Sequence, residues 1–140
     1  MRIVIDTNVL ISAALSPNGA PAQLLQQVLT EHLLVFSSET FAELESRLRK
    51  PKFDRYINLD ERKILLHDLS ASAVWVAIAP ELVAKTYSRD ADDDMFVHAA
   101  LAAEAGLLIT GDQDLLVLAK YLSESYRLTV CKPAYALKLV

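Results

Sequence analysis

Cysteine is nearly missing from this chain of 140 residues: Cys131 stands alone, which excludes an internal disulfide and a thiolate-built zinc site. Three scattered histidines (His32, His67 and His98) supply no Cys/His metal motif either. The three glycines form no glycine-rich loop ending in lysine, so P-loop nucleotide binding is excluded. Long apolar runs are also lacking. The longest, Ala73 to Ala79, falls far short of the ~20 residues that a membrane-spanning helix needs. The apolar start Ile3-Val4-Ile5 runs straight into Asp6 instead of forming the core of a secretory signal, so a cytoplasmic location with no membrane association is expected. Positive charge is not in excess: a net charge of −4 argues against coating nucleic acid by bulk charge, although a local basic patch remains open.

Hydrophobic residues make up 53% of the chain and charged residues 23%, which suits one folded domain over residues 1–140 with one substantial core. Short β-type runs alternate with helical periodicity. Ile3 to Ile5, Leu33 to Phe36, Ala73 to Ala79, Leu107 to Thr110 and Leu128 to Cys131 read as strands. Between them, Val9 to Leu15, Pro21 to Glu31, a helix capped at Ser37-Ser38 with Phe41, Leu44 and Leu48 inside, a helix capped by Asp60 with Leu59 and Ile64 as its staple, and a helix from Asp94 stopped by Gly106 read as helical. Trp75 and Cys131 are expected in the core. Strands separated by such helices build an α/β fold, a mainly parallel five-stranded sheet with helices on both faces.

In such a sheet the ligand crevice lies beyond the carboxyl ends of the strands. Asp6 ends the first strand, Asp112 follows the fourth, Glu43 sits early in the helix after the second, and Asp94 opens the helix after the third. Four carboxylates at one edge repel one another, and a hard divalent cation resolves the conflict. With no Cys or His in the set, Mg²⁺ or Mn²⁺ fits better than zinc, and the chemistry such a site suits best is phosphodiester hydrolysis. Each acid also has a structural reading. Asp92, Asp93 and Asp94 complement a helix N-terminus, and Thr40 to Glu43 fits a capping box. A carboxylate closing an apolar strand, as Asp6 does, is harder to explain that way. Arg47, Arg49, Lys50, Lys52 and Arg55 form a basic stretch that could steer phosphates into the crevice or merely be a solvated helix end. His98 is read as structural, and Tyr87 and Arg89 are left open as contacts to a phosphate or a partner.

These pieces resemble the PIN-domain nucleases, in particular the toxin components of toxin–antitoxin systems similar to VapC. The matching runs are Ile5 to Ala13, Phe41 to Leu44 around Glu43, Asp92 to Phe96, and Leu108 to Leu116. The resemblance implies a three-layer α/β/α sandwich, with Asp6, Glu43, Asp94 and Asp112 as catalytic, metal-binding acids. It gives Asn8, Thr110 and Asp93 a supporting place, and Asp114 could share the role of Asp112. It further implies a Mg²⁺- or Mn²⁺-dependent endoribonuclease acting on RNA, a homodimer, and a small antitoxin partner. An RNA-processing nuclease without an antitoxin stays open beside it. So does a receiver-like signalling domain, for which Lys132-Pro133 fits, although the first strand lacks an acidic pair and the third ends without an acid.

Overall fold

The first strand, β1 (Arg2–Ile5), becomes the middle of the sheet, and Ile3, Val4 and Ile5 are all buried because both of its faces are covered. A computed structural model describes residues 1–140. From β1 the chain forms α1 (Thr7–Leu15), α2 (Ala20–Glu31), β2 (Leu33–Phe36), α3 (Ser38–Leu48), a 3₁₀ turn (Pro51–Phe53), α4 (Leu59–Ser72) and β3 (Val74–Trp75). It continues through α5 (Pro80–Val83), a second 3₁₀ turn (Ala91–Asp93), α6 (Asp94–Ala102), β4 (Leu107–Ile109), α7 (Gln113–Leu116), α8 (Ala119–Tyr126), β5 (Thr129–Cys131) and α9 (Pro133–Ala136).

The five strands are all parallel, in the order β3-β2-β1-β4-β5. A receiver-type sheet runs 2-1-3-4-5, so this order excludes the signalling alternative. Side-chain alternation sorts the core into two layers. On one face Ile3, Ile5, Leu34, Phe36, Leu107 and Ile109 pack against α1, α2, α3, α4 and α9. On the other, Val4, Val35, Leu108 and Val130 meet α6, α7 and α8, where Ala99, Ala100 and Ala103 let α6 lie close to the strands.

Several local expectations change. The Ala73 to Ala79 run pairs only over Val74 and Trp75, because β3 is an edge strand, and Trp75 remains 44% exposed with its indole N–H donated to Ser70 O. Asn58, not Asp60, caps α4 in a reciprocal box with Glu61, and Leu59 and Ile64 face solvent instead of forming a staple. The capping box of α3 joins Ser37 to Thr40, not Thr40 to Glu43, which leaves the Glu43 carboxylate free for other partners. Gly106 does not stop α6. Glu104 takes the left-handed conformation at φ 52°, and Ala105 N donates to Ala100 O at 2.8 Å, a Schellman ending two residues earlier.

Candidate active site

The carboxyl ends of β1 and β4 lie side by side, and each delivers an acid. Asp6 N donates to Ile109 O at 2.9 Å, so the ladder continues into the very residue whose side chain enters the crevice. The buried Thr110 hydroxyl donates to Asp6 Oδ2 at 2.7 Å and accepts from Asp112 N at 2.9 Å. One hydroxyl therefore fixes both strand-end acids. Burial holds the Asp6 carboxyl above its usual pKa, and the neighbouring Asp112 adds to this; Thr110, the Asn8 N–H and Arg47 oppose it. Asp112 Oδ1 accepts from Asp114 N at 2.9 Å and so caps α7, while Asp114 pairs with Arg89 at 3.0 Å.

The third contribution comes from the loop before α6. Asp90 Oδ1 accepts from Asp92 N at 3.0 Å, closing the tight turn that carries Asp93 inward. Burial, then the Asp112 charge within hydrogen-bonding reach, then Asp90 and Asp6, push the Asp93 carboxyl up to about 7. Asp93 Oδ2 is buried and has no hydrogen-bond partner. Asp90, Asp93 and Asp114 present carboxylate oxygens that all lie within 4.8 Å of one another.

The acidic run is thus divided differently from the sequence expectation. Asp93, expected in a supporting place, faces Asp112 and Asp6. Asp94, expected as a ligand, turns away: its Oδ1 accepts from Tyr87 N at 3.1 Å and Ser88 N at 2.7 Å. It lines a separate cavity of about 320 Å³ with Ser37, Glu39, Met95 and His98. Its place in the structure is to hold the loop that carries Asp90 and Asp93. His98 Nε2 sits 2.8 Å from Lys85 O and its ring lies edge-on to Tyr87, consistent with the structural reading.

Glu43, half-buried on α3, pairs with Arg47 one turn later, and Arg47 Nη1 donates to Asn8 Oδ1 at 3.1 Å. Glu43 and Asn8 are thereby linked from α3 to α1. The side chains of the basic stretch take different directions. Only Arg47 turns to the acids; Arg49 reaches Glu45 at 3.7 Å, Lys52 lies over the Phe53 ring, and Lys50 and Arg55 face solvent. Two participants were missed or left open. Asp90 stands outside the acids expected from the sequence, and Arg89 was left open there between a phosphate and a partner; the three-residue spacing from Asp90 to Asp93 was the available signal. Beside Asp112 a cleft of about 350 Å³ runs past Asn8, Ser12 and Gly111.

Comparison with known proteins gives the same picture. A profile of the PIN domain matches residues 2–114. MJ1680, an uncharacterized protein of Methanocaldococcus jannaschii, is 36% identical over 119 residues, covering 84% of this chain and 75% of that protein. Among solved structures, VapBC2 from Rickettsia felis, bound to a promoter DNA fragment, is similar with a TM-score of 0.59 at 15% identity over 94% of this chain and 98% of that one. VapBC-1 from nontypeable Haemophilus influenzae gives 0.58 at 18%, over 96% and 99%. FitAcB from Neisseria gonorrhoeae gives 0.58 at 20%, over 94% and 97%. At such identities the likeness to these three structures is one of fold. The profile match is of another kind, since it begins at β1 and runs through Asp6, Glu43, the acidic run, Asp112 and Asp114, and on that ground the chain belongs to the PIN domain family of nucleases.

Proposed function

We propose that this protein is a divalent-metal-dependent endoribonuclease, the toxin of a toxin–antitoxin pair, with Asp6, Asp93 and Asp112 as its central acids and Glu43 at their rim. The observation that carries the reading is Asp93 Oδ2, a buried carboxylate oxygen without a donor, set against Asp112 and Asp6. A buried acceptor with no partner is costly, and carboxyls such as Asp6 and Asp93, held up by burial and by the charge of neighbouring acids, are the setting a hard cation relieves. The donors are all oxygens, which fits Mg²⁺ or Mn²⁺.

When bound, such an ion lowers the pKa of water and offsets charge on a phosphodiester. The residues of the chain supply the rest. Thr110 fixes the orientation of Asp6 and the turn to Asp112, Asp94 holds the loop that presents Asp93, and Asn8 with Arg47 fixes Glu43 at the edge. The toxin part of the reading is supported by the resemblance to VapC-like chains and by the fold shared with VapBC and FitAcB structures. A small antitoxin partner, a homodimer and a cytoplasmic setting belong to the same proposal; no helix of the chain is long and apolar enough to cross a membrane.

The test is cleavage of single-stranded RNA by the purified protein, with Mg²⁺ or Mn²⁺ and with chelator. Cleavage is expected only with the metal, and Asp6→Asn is expected to abolish it. Equal cleavage in chelator, or by Asp6→Asn, overturns the proposal.

A further inference from the structure

We propose that Arg47 and Arg89 each bind a phosphate of the RNA backbone, one on either side of the cleaved linkage, and that a divalent cation frees them by taking their carboxylate partners. This rests on the nuclease reading above and deepens it by assigning the substrate path. Six carboxylates crowd the crevice: Asp6, Glu43, Asp90, Asp93, Asp112 and Asp114. A polyanion entering there needs cations at its edges. The chain has fourteen Lys and Arg residues, and only Arg47 and Arg89 form ion pairs with these acids.

Their placement is not symmetric in sequence but is so in the sheet. Arg47 stands on α3, which follows β2; Arg89 pairs with Asp114 of α7, which follows β4. Strands β2 and β4 flank β1 on opposite sides, so the two ion pairs stand on opposite sides of Asp6. Both side chains are open to solvent, 42% for Arg47 and 87% for Arg89. Arg47 uses Nε and Nη1, and Arg89 uses Nη2, so each keeps unused donors. Exposed ion pairs are weak, and a dication competing for Glu43 or Asp114 displaces them readily. A released guanidinium fork matches phosphate oxygens in a way a lysine does not. Cation and RNA then favour each other's binding, and the coupling is reciprocal.

The experiment has two readouts on the intact protein. In the first, Mn²⁺ uptake without RNA is followed by electron paramagnetic resonance of the free ion. Arg47→Met and Arg89→Met are each expected to bind Mn²⁺ about twofold to fivefold more tightly, the competition that an exposed pair offers. Arg49→Met, whose partner Glu45 lies outside the crevice, is expected to leave it unchanged. In the second, anisotropy of a short labelled oligoribonucleotide is measured over a salt series with Mn²⁺, every protein carrying Asp6→Asn so that the RNA stays whole, its integrity checked on a gel. Each of the two variants should flatten the log–log slope by about 0.7, the loss of one single-strand phosphate contact. Arg47→Lys, which retains charge without the fork, should keep the slope and weaken binding. Unchanged slopes in Arg47→Met and Arg89→Met overturn the phosphate contacts, and unchanged Mn²⁺ affinities overturn the release, while metal-dependent cleavage by wild type still stands. Wild-type protein that takes up no Mn²⁺ overturns the metal reading itself, and this inference with it.

Discussion

Asp6 and Asp112 stand at the ends of neighbouring strands, whereas Asp90 and Asp93 stand in the long connection from β3 to α6, whose only regular pieces are the one-turn α5 and the 3₁₀ turn Ala91–Asp93. The first pair is held by the sheet itself: the ladder reaches Asp6 N, and Thr110 ties both acids together. The second is held by side chains. Asp94 accepts two backbone N–H groups, Ser88 Oγ accepts from Asp90 N at 3.2 Å, and Asp90 itself turns the chain at Asp92. Half of the site is thus set by the fold and half by a loop held mainly through one buried carboxylate. Local stability differs accordingly, because strand-end geometry is lost only with the sheet, while a loop opens by itself when its few tethers fail.

The sharpest way to break this division is to substitute the two adjacent acids separately. Asp93→Asn is expected to lower cleavage by at least about a thousandfold, about 4 kcal/mol of barrier, and to weaken Mn²⁺ binding. Asp94→Asn keeps an acceptor for Tyr87 N and Ser88 N and should stay within about tenfold of wild type, which is about 1.4 kcal/mol. Asp94→Leu leaves those N–H groups without an acceptor, at a cost of about 1–3 kcal/mol. For a chain of this size that lowers the melting midpoint by about 3–10 °C. Kinetics, Mn²⁺ titration and thermal melts on the three proteins decide it. If Asp94→Asn loses Mn²⁺ as fully as Asp93→Asn, Asp94 is a ligand and the two halves are one.

A smaller effect is expected on the strand-end half. Thr110→Val removes the donor to Asp6 and the acceptor for Asp112 N together, and should cost about 10- to 100-fold in metal affinity and in cleavage. Thr110→Ser should restore most of it. An unaffected Thr110→Val protein would show that the sheet alone positions these acids.

The smallest expected signal is the pH dependence of stability without metal. Asp6 and Asp93 both have folded-state pKa values above the unfolded 3.8, with Asp93 at about 7. Each therefore contributes stability that is fully present below about pH 4 and is lost as pH rises through its folded pKa. In chelator, the wild-type melting midpoint should gain less from rising pH than that of Asp93→Asn, and the two profiles should diverge between about pH 4 and about 7. Saturating Mn²⁺ should reverse the trend, because protons and cation compete for the same oxygens. Parallel profiles for wild type and Asp93→Asn would mean that the loop carboxylate is not pressed against its neighbours.

What could be read from the chain follows the same line. Ile3-Val4-Ile5 before Asp6, and Leu107 to Ile109 before Thr110 and Asp112, place two acids without further information, because a parallel strand that is buried on both faces announces itself and its end. Asp93 and Asp94 could not be told apart. Successive residues at a helix start point about 100° apart, and which one faces the crevice depends on how the preceding loop packs. Glu43 was legible as an acid at the right edge, but its Arg47 partner looked like one cation of a patch. Trp75 looked like core because its run is β-branched and apolar, yet an edge strand covers only one side. Glu104 in place of Gly106 at the end of α6 shows the limit of punctuation signals, since the Schellman bonds fix the conformation and the residue type accommodates it.

The hydrogen bond from Thr110 to Asp6 spans 104 residues. On a ribosome adding about 5–20 residues per second, that separation corresponds to about 5–20 s between the synthesis of the first acid and of the residue that orients it. Until β4 has been made, β1 lacks its second neighbour, Asp112 does not exist, and no part of the emerging chain has the complete acid set. A chain of the PIN domain family is in this way without its complete acid set while it is still attached to the message that encodes it, for most of the time it takes to make.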